Sequence, residues 1–137
     1  MSLEEIDRKA LVEYRIGKAK EAFDDSLYMV SDARWNAAGN RLYYSAYYAL
    51  SALLLADEIP VHTHRGLLTQ MSLNYVRKGV ISIEEGKLVR QLFNLRHEDD
   101  YEDLVDSTEE EIQEFIPKVR SLLDKLIRLN KLYEIDE

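Results

Sequence analysis

The sequence predicts an all-α fold, an antiparallel up-and-down bundle of four to five helices, and three observations predict it. Apolar residues recur near the 3.6-residue helical period through most of the chain. Only five glycines and two prolines interrupt 137 residues, and short connections favour antiparallel neighbours. No stretch alternates apolar and polar residues as a half-buried strand would.

The elements follow in order. From Glu4 to about Val30, the series Ile6, Ala10, Leu11, Tyr14, Ala19, Ala22, Phe23, Leu27 and Val30 marks one helical face. Ser31-Asp32 offers N-cap chemistry for a second helix, which runs to about Asp57 with Leu42, Tyr43, Ala46, Tyr47, Leu50, Leu53 and Leu54 on its apolar side. Glu58-Ile59-Pro60-Val61 breaks it, because proline disfavours helical geometry in the residue before it. A third helix starts with Thr63 as cap and runs to Lys78, with Gly79 as its stop. Ser82-Ile83-Glu84-Glu85 is a capping box that opens a fourth helix through Leu88, Val89, Leu92, Phe93 and Leu95. Ser107-Thr108-Glu109-Glu110-Glu111 opens the fifth, and Pro117 lies inside it, where a kink is expected.

Composition bounds the function. With 46% hydrophobic and 32% charged residues, residues 1–137 read as a single soluble globular domain. The chain has no cysteine, which excludes disulfides, thiolate nucleophiles and Cys-ligated metals. No apolar run approaches the roughly 20 residues of a membrane span. The acidic start Met1-Ser2-Leu3-Glu4-Glu5 lacks the apolar region of a signal peptide, so a cytoplasmic location without membrane contact is the expectation. A net charge of −8 argues against a protein that binds nucleic acid through a broad phosphate-facing surface. A small local basic cleft is compatible with it.

Two places depart from a plain bundle. The apolar stripe of the fourth helix, Val89, Leu92 and Phe93, lands at the same spacing on Arg96 and Asp100. Charges thus occupy inner-face positions, or else form an i, i+4 pair at a solvated helix end. The following acids, from Glu98 through Asp103, stand where they would oppose the helix dipole. On the second helix, Asn36, Asn40, Tyr44, Tyr47 and Ser51 form a polar line beside Arg41 and the Tyr43-Tyr44-Ser45-Ala46-Tyr47-Tyr48 cluster. Aromatics beside an arginine can stack bases or line a partner interface, and tyrosines at this spacing can equally be core residues with hydroxyls at the rim. Gly39 in mid-helix points to a close backbone approach. His62 and His64 stand two apart and His97 lies among acids, but no carboxylate is placed at matching spacing. No metal and no cofactor is therefore expected, and these histidines read as structural or surface residues. Phosphate-loop and serine-hydrolase motifs are absent. The residues alone lead to a bundle with a polar notch between helices two and four.

The segment from Asn40-Arg41-Leu42-Tyr43-Tyr44 to Leu53-Leu54-Leu55 resembles the second-helix signature of HEPN-domain proteins. Thr63-His64, Val76-Arg77-Lys78-Gly79 and the Leu95-Arg96 to Asp100-Tyr101 stretch follow in that family's order, so the resemblance covers about residues 5 to 130. The chain is similar to the small prokaryotic HEPN proteins associated with minimal nucleotidyltransferases. The resemblance implies a homodimer packed near the polar motif. Many HEPN proteins are metal-independent endoribonucleases with an arginine followed by a histidine. Arg96 matches the arginine, but the positions for the histidine hold Tyr101, Glu102 and Asp103. Adjacent His97 would lie on another helical face, about 100° away. Tyrosine, whose hydroxyl ordinarily titrates at about pH 10, is a poor proton carrier at neutral pH.

The resemblance to the Arg-x-x-x-Asp-Tyr subgroup implies a binding or regulatory protein pairing with a nucleotidyltransferase in a toxin–antitoxin or defence-like system. Arg96, Asp100 and Tyr101, with Asn40, Arg41 and Tyr44 opposite, would form its cleft for nucleotide, RNA or a partner side chain. The alternative is an endoribonuclease using Arg96 with Tyr101 or a histidine from a dimer mate. A third reading is a plain helical interaction module with a purely structural notch.

Overall fold

Four of the five α-helices begin where a side chain can satisfy their first free N–H groups. In the computed structural model, which describes residues 2–98 and 105–134, α1 covers Leu3–Ser31 and starts at Ser2, whose hydroxyl accepts from the Glu5 N–H. Helix α2 covers Trp35–Ala56. Helix α3, His64–Met71, is capped by Thr63, whose Oγ1 accepts from the Gly66 N–H at 2.9 Å. Helices α4, Ile83–Asn94, and α5, Glu109–Leu129, both open with complete capping boxes, Ser82 with Glu85 and Thr108 with Glu111. The expected all-α bundle is what forms, and among the described residues there is no strand.

Three boundaries differ from the sequence expectation. Ser31-Asp32 does not cap α2. The Ser31 hydroxyl donates to the Tyr28 carbonyl, and the Asp32 carboxylate pairs with Arg34 at 2.7 Å, so both finish α1. Arg34 stands at the N-cap of α2 with no side-chain cap bond. The third helix does not stay α-helical to Lys78: after Met71 it widens into a π-helical turn, Ser72–Val76, in which the Arg77 N–H reaches the Ser72 carbonyl. Gly79 then takes a left-handed φ of 74°, as a helix stop requires. The fourth helix ends at Asn94, short of Arg96. Helix α5 runs through Pro117 without a break in its span.

Cross-chain bonds fix the directions. Arg8 at the start of α1 pairs with Glu58 just past the end of α2 at 3.2 Å, so these helices are antiparallel. Glu85 at the start of α4 receives Lys125 near the end of α5 at 2.7 Å, making that pair antiparallel too. Helices α2 and α5 run the same way, since Gly39 lies beside Ile112 and Asp57 beside Lys131. Helix α2 packs on every other helix of the bundle. Its inner face, with Leu42, Tyr43, Ala46, Leu50 and Leu53 all buried, is the centre of the core.

Burial alone would raise the Glu85 carboxyl, but the bonds from Lys125 and from the Ser82 backbone and hydroxyl outweigh it and hold the group below its ordinary 4.5. A depressed carboxyl stabilises the fold above its unfolded pKa, and that contribution disappears as pH falls through the folded value. Replacing Glu85 by Gln keeps the cap geometry and removes the charge. The expected loss is about 0.5 kcal/mol at neutral pH. Urea denaturation should show the variant and the parent converging at pH values below the carboxylate range.

Candidate functional site

The site is built where the chain leaves α4. Leu95 is the C-cap, and its carbonyl passes so close to α2 that a Cβ on Gly39 would lie 3.1 Å from it. The close approach expected at Gly39 is therefore this contact. One residue on, Asn40 donates from Nδ2 to the Arg96 carbonyl at 2.6 Å. Arg96 then folds back on the helix it has just left. Its Nη1 donates to the Phe93 carbonyl at 2.7 Å, and its guanidinium lies 3.7 Å from the centre of the Phe93 ring. A cation thereby satisfies a carbonyl at the C-terminal end of α4, where the helix dipole favours it.

Arg96 is 6% exposed, so the sequence expectation of an inward-facing charge holds. The expected route does not, because Arg96 lies beyond the helix and the 100° argument for His97 fails with it. His97 has a left-handed φ of 56° and its Nε2 lies 2.9 Å from Ser107 Oγ. The Ser107 N–H donates to Asn36 Oδ1 at 2.7 Å, and Asn36 Nδ2 donates to Asp106. Asn36 and Asn40, one helical turn apart, thus hold the described chain segments on both sides of residues 99–104.

The remaining members close a circuit. Glu98 Oε2 lies 3.6 Å from Arg96 Nε, and Glu98 Oε1 accepts from the Tyr44 hydroxyl. Arg41 lies 5.1 Å over the Tyr44 ring and donates from Nε and Nη2 to Asn40 Oδ1. The structure therefore brings together Arg96, Asn40, Arg41 and Tyr44, as the sequence places them. Asp100 and Tyr101, also assigned to this cleft, lie outside the described residues. Glu98 was missed as a member; its signal was the complementary charge two residues after Arg96.

A second layer of aromatic side chains lies behind. Tyr43 is fully buried, and its hydroxyl is 2.8 Å from His64 Nδ1, while the His64 ring stacks on Tyr47 at 4.7 Å. Burial pushes the Tyr43 hydroxyl well above the ordinary tyrosine value, partly opposed by Arg96. Tyr44 is also raised, by burial first and then by its bond to Glu98. Both hydroxyls stay protonated at neutral pH. His64 is thus a structural partner of Tyr43 and half-buried, whereas His62 is exposed. Among the described residues no three of His, Asp and Glu gather in a group that could hold a metal ion. No helix among them is long and apolar enough to cross a membrane.

A profile of the HEPN domain matches residues 12–131. The chain belongs to the HEPN-domain family. It is 32% identical over 123 residues to a UPF0332 protein of Thermotoga maritima, covering 90% of this chain and 93% of that one. Two proteins of Methanocaldococcus jannaschii whose names call each a "putative toxin" are also similar. One is 26% identical, covering 91% of this chain and 85% of its own length. The other is 28% identical, covering 85% and 81%. In this HEPN chain Arg96 is a packed residue tied to Phe93, Glu98 and the polar line of α2.

Gly39 sets the distance between α2 and that arginine. Gly39→Val must push away the Leu95 carbonyl and Ile112, and a loss of about 2 kcal/mol is expected. Gly17 has open space around it and lies inside α1, so Gly17→Ala should instead stabilise by about 0.5–1 kcal/mol. Thermal denaturation of the two variants checks the contrast in sign.

Proposed function

We propose that this protein is the HEPN component of a toxin–antitoxin or defence-like system, acting by recognition. Its partner is a nucleotidyltransferase-type protein, it works as a homodimer, and the cleft at Arg96 takes a nucleotide, an RNA segment or a partner side chain. The observation that carries this reading is the state of Arg96: packed on Phe93, bonded to a backbone carbonyl and beside Glu98. An arginine that serves a scissile phosphate must present its donors to the developing charge. Here two edges of the guanidinium are turned to the protein. Recognition falls to the half-exposed rim, where Arg41 offers a planar cation and Tyr44 an aromatic face. The two archaeal relatives named as toxins support the biological setting.

One observation favours an endoribonuclease as the second reading. An imidazole, that of His64, is held by Tyr43 within the aromatic cluster that contains Phe93 and so lies near the Arg96 stack. It can serve in place of the histidine that the motif lacks, as could Tyr101 or a histidine from a dimer mate.

Two measurements on the purified full chain separate the readings. Co-expression with a nucleotidyltransferase-type partner should give a stable complex that Arg41→Ala or Arg96→Ala weakens roughly tenfold. Incubation with total RNA should give no cleavage by the parent protein. Cleavage that disappears in both Arg96→Ala and His64→Ala would establish the enzyme and overturn the recognition reading.

A further inference from the structure

We infer that the outer face of the α3–α4 hairpin is a docking surface for an acidic polypeptide other than this chain. The inference goes beyond the Arg96 cleft and does not need that cleft to bind anything. It starts from the uneven distribution of charge. Residues 59–97 hold six basic residues (Arg65, Arg77, Lys78, Lys87, Arg90 and Arg96) against two acids, Glu84 and Glu85, a net of +4. The whole chain is −8, so the other residues carry −12.

The fold collects those cations on one hairpin. Arg65, at the start of α3, lies 5.8 Å over the Phe93 ring near the end of α4. Ser72 accepts from Arg90 Nη2 at 2.6 Å. Val76, at the far end, lies 3.0 Å from where a Cβ on Gly86 would be. The two segments therefore run antiparallel in contact, and Arg65, Arg77, Lys78, Lys87 and Arg90 are all exposed. Both acids of the segment are already engaged: Glu85 with Lys125 of α5 and Glu84 with Lys87. Arg65, Arg77 and Lys78 have no carboxylate within ion-pair distance among the described residues. Between the cations stand exposed apolar side chains, Leu73 at 45%, Val80 at 37% and Ile83 at 65%.

This combination selects the occupant. Arg65, Arg77 and Lys78, exposed and without a carboxylate partner among the described residues, gain no ion-pair stabilisation within the chain, so a complementary charge has to come from outside. A second copy docked face to face would set cation against cation, because a two-fold interface uses the same patch on both chains. A head-to-tail contact with the acidic remainder would build a ring or a filament according to whether its rotation closes, and an adduct to this chain itself would reveal it. A nucleic acid offers negative charge, but its phosphates gain nothing from the exposed Leu73, Val80 and Ile83. An acidic protein surface with an apolar centre satisfies both parts of the face, with the charges at the rim steering the encounter.

Photo-crosslinking in native cells tests this without knowledge of the partner's identity. A photoreactive residue replaces Leu73 in the full chain, and the same residue at Tyr28 of α1 is the control. The expected result is an adduct at position 73, absent at 28, to a segment of another polypeptide whose sequence is net acidic. The adduct should fall roughly tenfold when Arg77→Glu and Lys78→Glu are combined, and also in raised salt in a fresh extract. The milder Arg77→Gln, Lys78→Gln pair should give an intermediate loss, and circular dichroism should show both pairs folded. Adducts to RNA, to this chain itself or to a non-acidic segment would overturn the inference. So would an adduct unchanged by charge reversal, or none above the control.

Discussion

The architecture of the site depends on one closed circuit of polar contacts. Asn40 holds the Arg96 carbonyl and, through its own oxygen, the Arg41 guanidinium. Arg41 lies on Tyr44, Tyr44 donates to Glu98, and Glu98 returns the charge to Arg96. A chain leaving a helix has backbone carbonyls with no intrahelical partner. Here Asn40 and the arginine's own side chain supply the missing donors. Each such bond contributes only about 1 kcal/mol net. Members of a circuit nevertheless orient one another, so losing one leaves others half-satisfied in a partly buried place. Gly39 is the steric condition for the whole arrangement, since a side chain there would hold the Leu95 carbonyl away from α2.

Helix α2 therefore does two jobs with two faces. Tyr43 and Tyr44 are adjacent in sequence and opposite in role: the first is fully buried against His64 and Phe93, the second half-exposed in the circuit. The same division explains why α2 tolerates an uncapped start. Its first turn is held from outside, with Asn36 tied to Asp106 and to the Ser107 backbone. The stability that a cap would give locally is supplied by tertiary contacts that also set where α5 begins.

Helix starts were legible because capping is local chemistry. Thr63, Ser82 and Thr108 each act within three residues of themselves, and all three serve as the sequence indicates. Ser31-Asp32 has the same composition but a competing local use, a carbonyl at Tyr28 and a cation at Arg34, and nothing in the residue types ranks those uses. The end of α4 was misread for a different reason. Periodicity correctly puts Arg96 on the inner side, yet a chain that turns back can reach that side without remaining helical. The left-handed φ at His97, a residue with no glycine-like signature, is fixed by the Ser107 contact ten positions away. The polar line of α2 was visible in the sequence, whereas its pairing with Arg96 and Glu98 is tertiary.

The circuit also constrains what chemistry the cleft can support. A reaction that removes a proton near neutral pH needs a base that is free of its proton there. Tyr43 and Tyr44 are both pushed upward by burial, and the carboxylate beside Tyr44 pushes it further, so neither is such a base. The same shift makes Tyr44 a dependable donor to Glu98, which keeps Glu98 beside Arg96 and the arginine's charge compensated. In the recognition reading, a phosphate that takes the Nε edge of Arg96 would have to displace Glu98, which lies 3.6 Å from it. Arg41 sits at the rim, where its Nε and Nη2 donate to Asn40 and, among the described residues, no carboxylate lies within ion-pair distance. In the recognition reading proposed above, first contact with an anionic or planar ligand would fall to Arg41 and Tyr44, with Arg96 behind them.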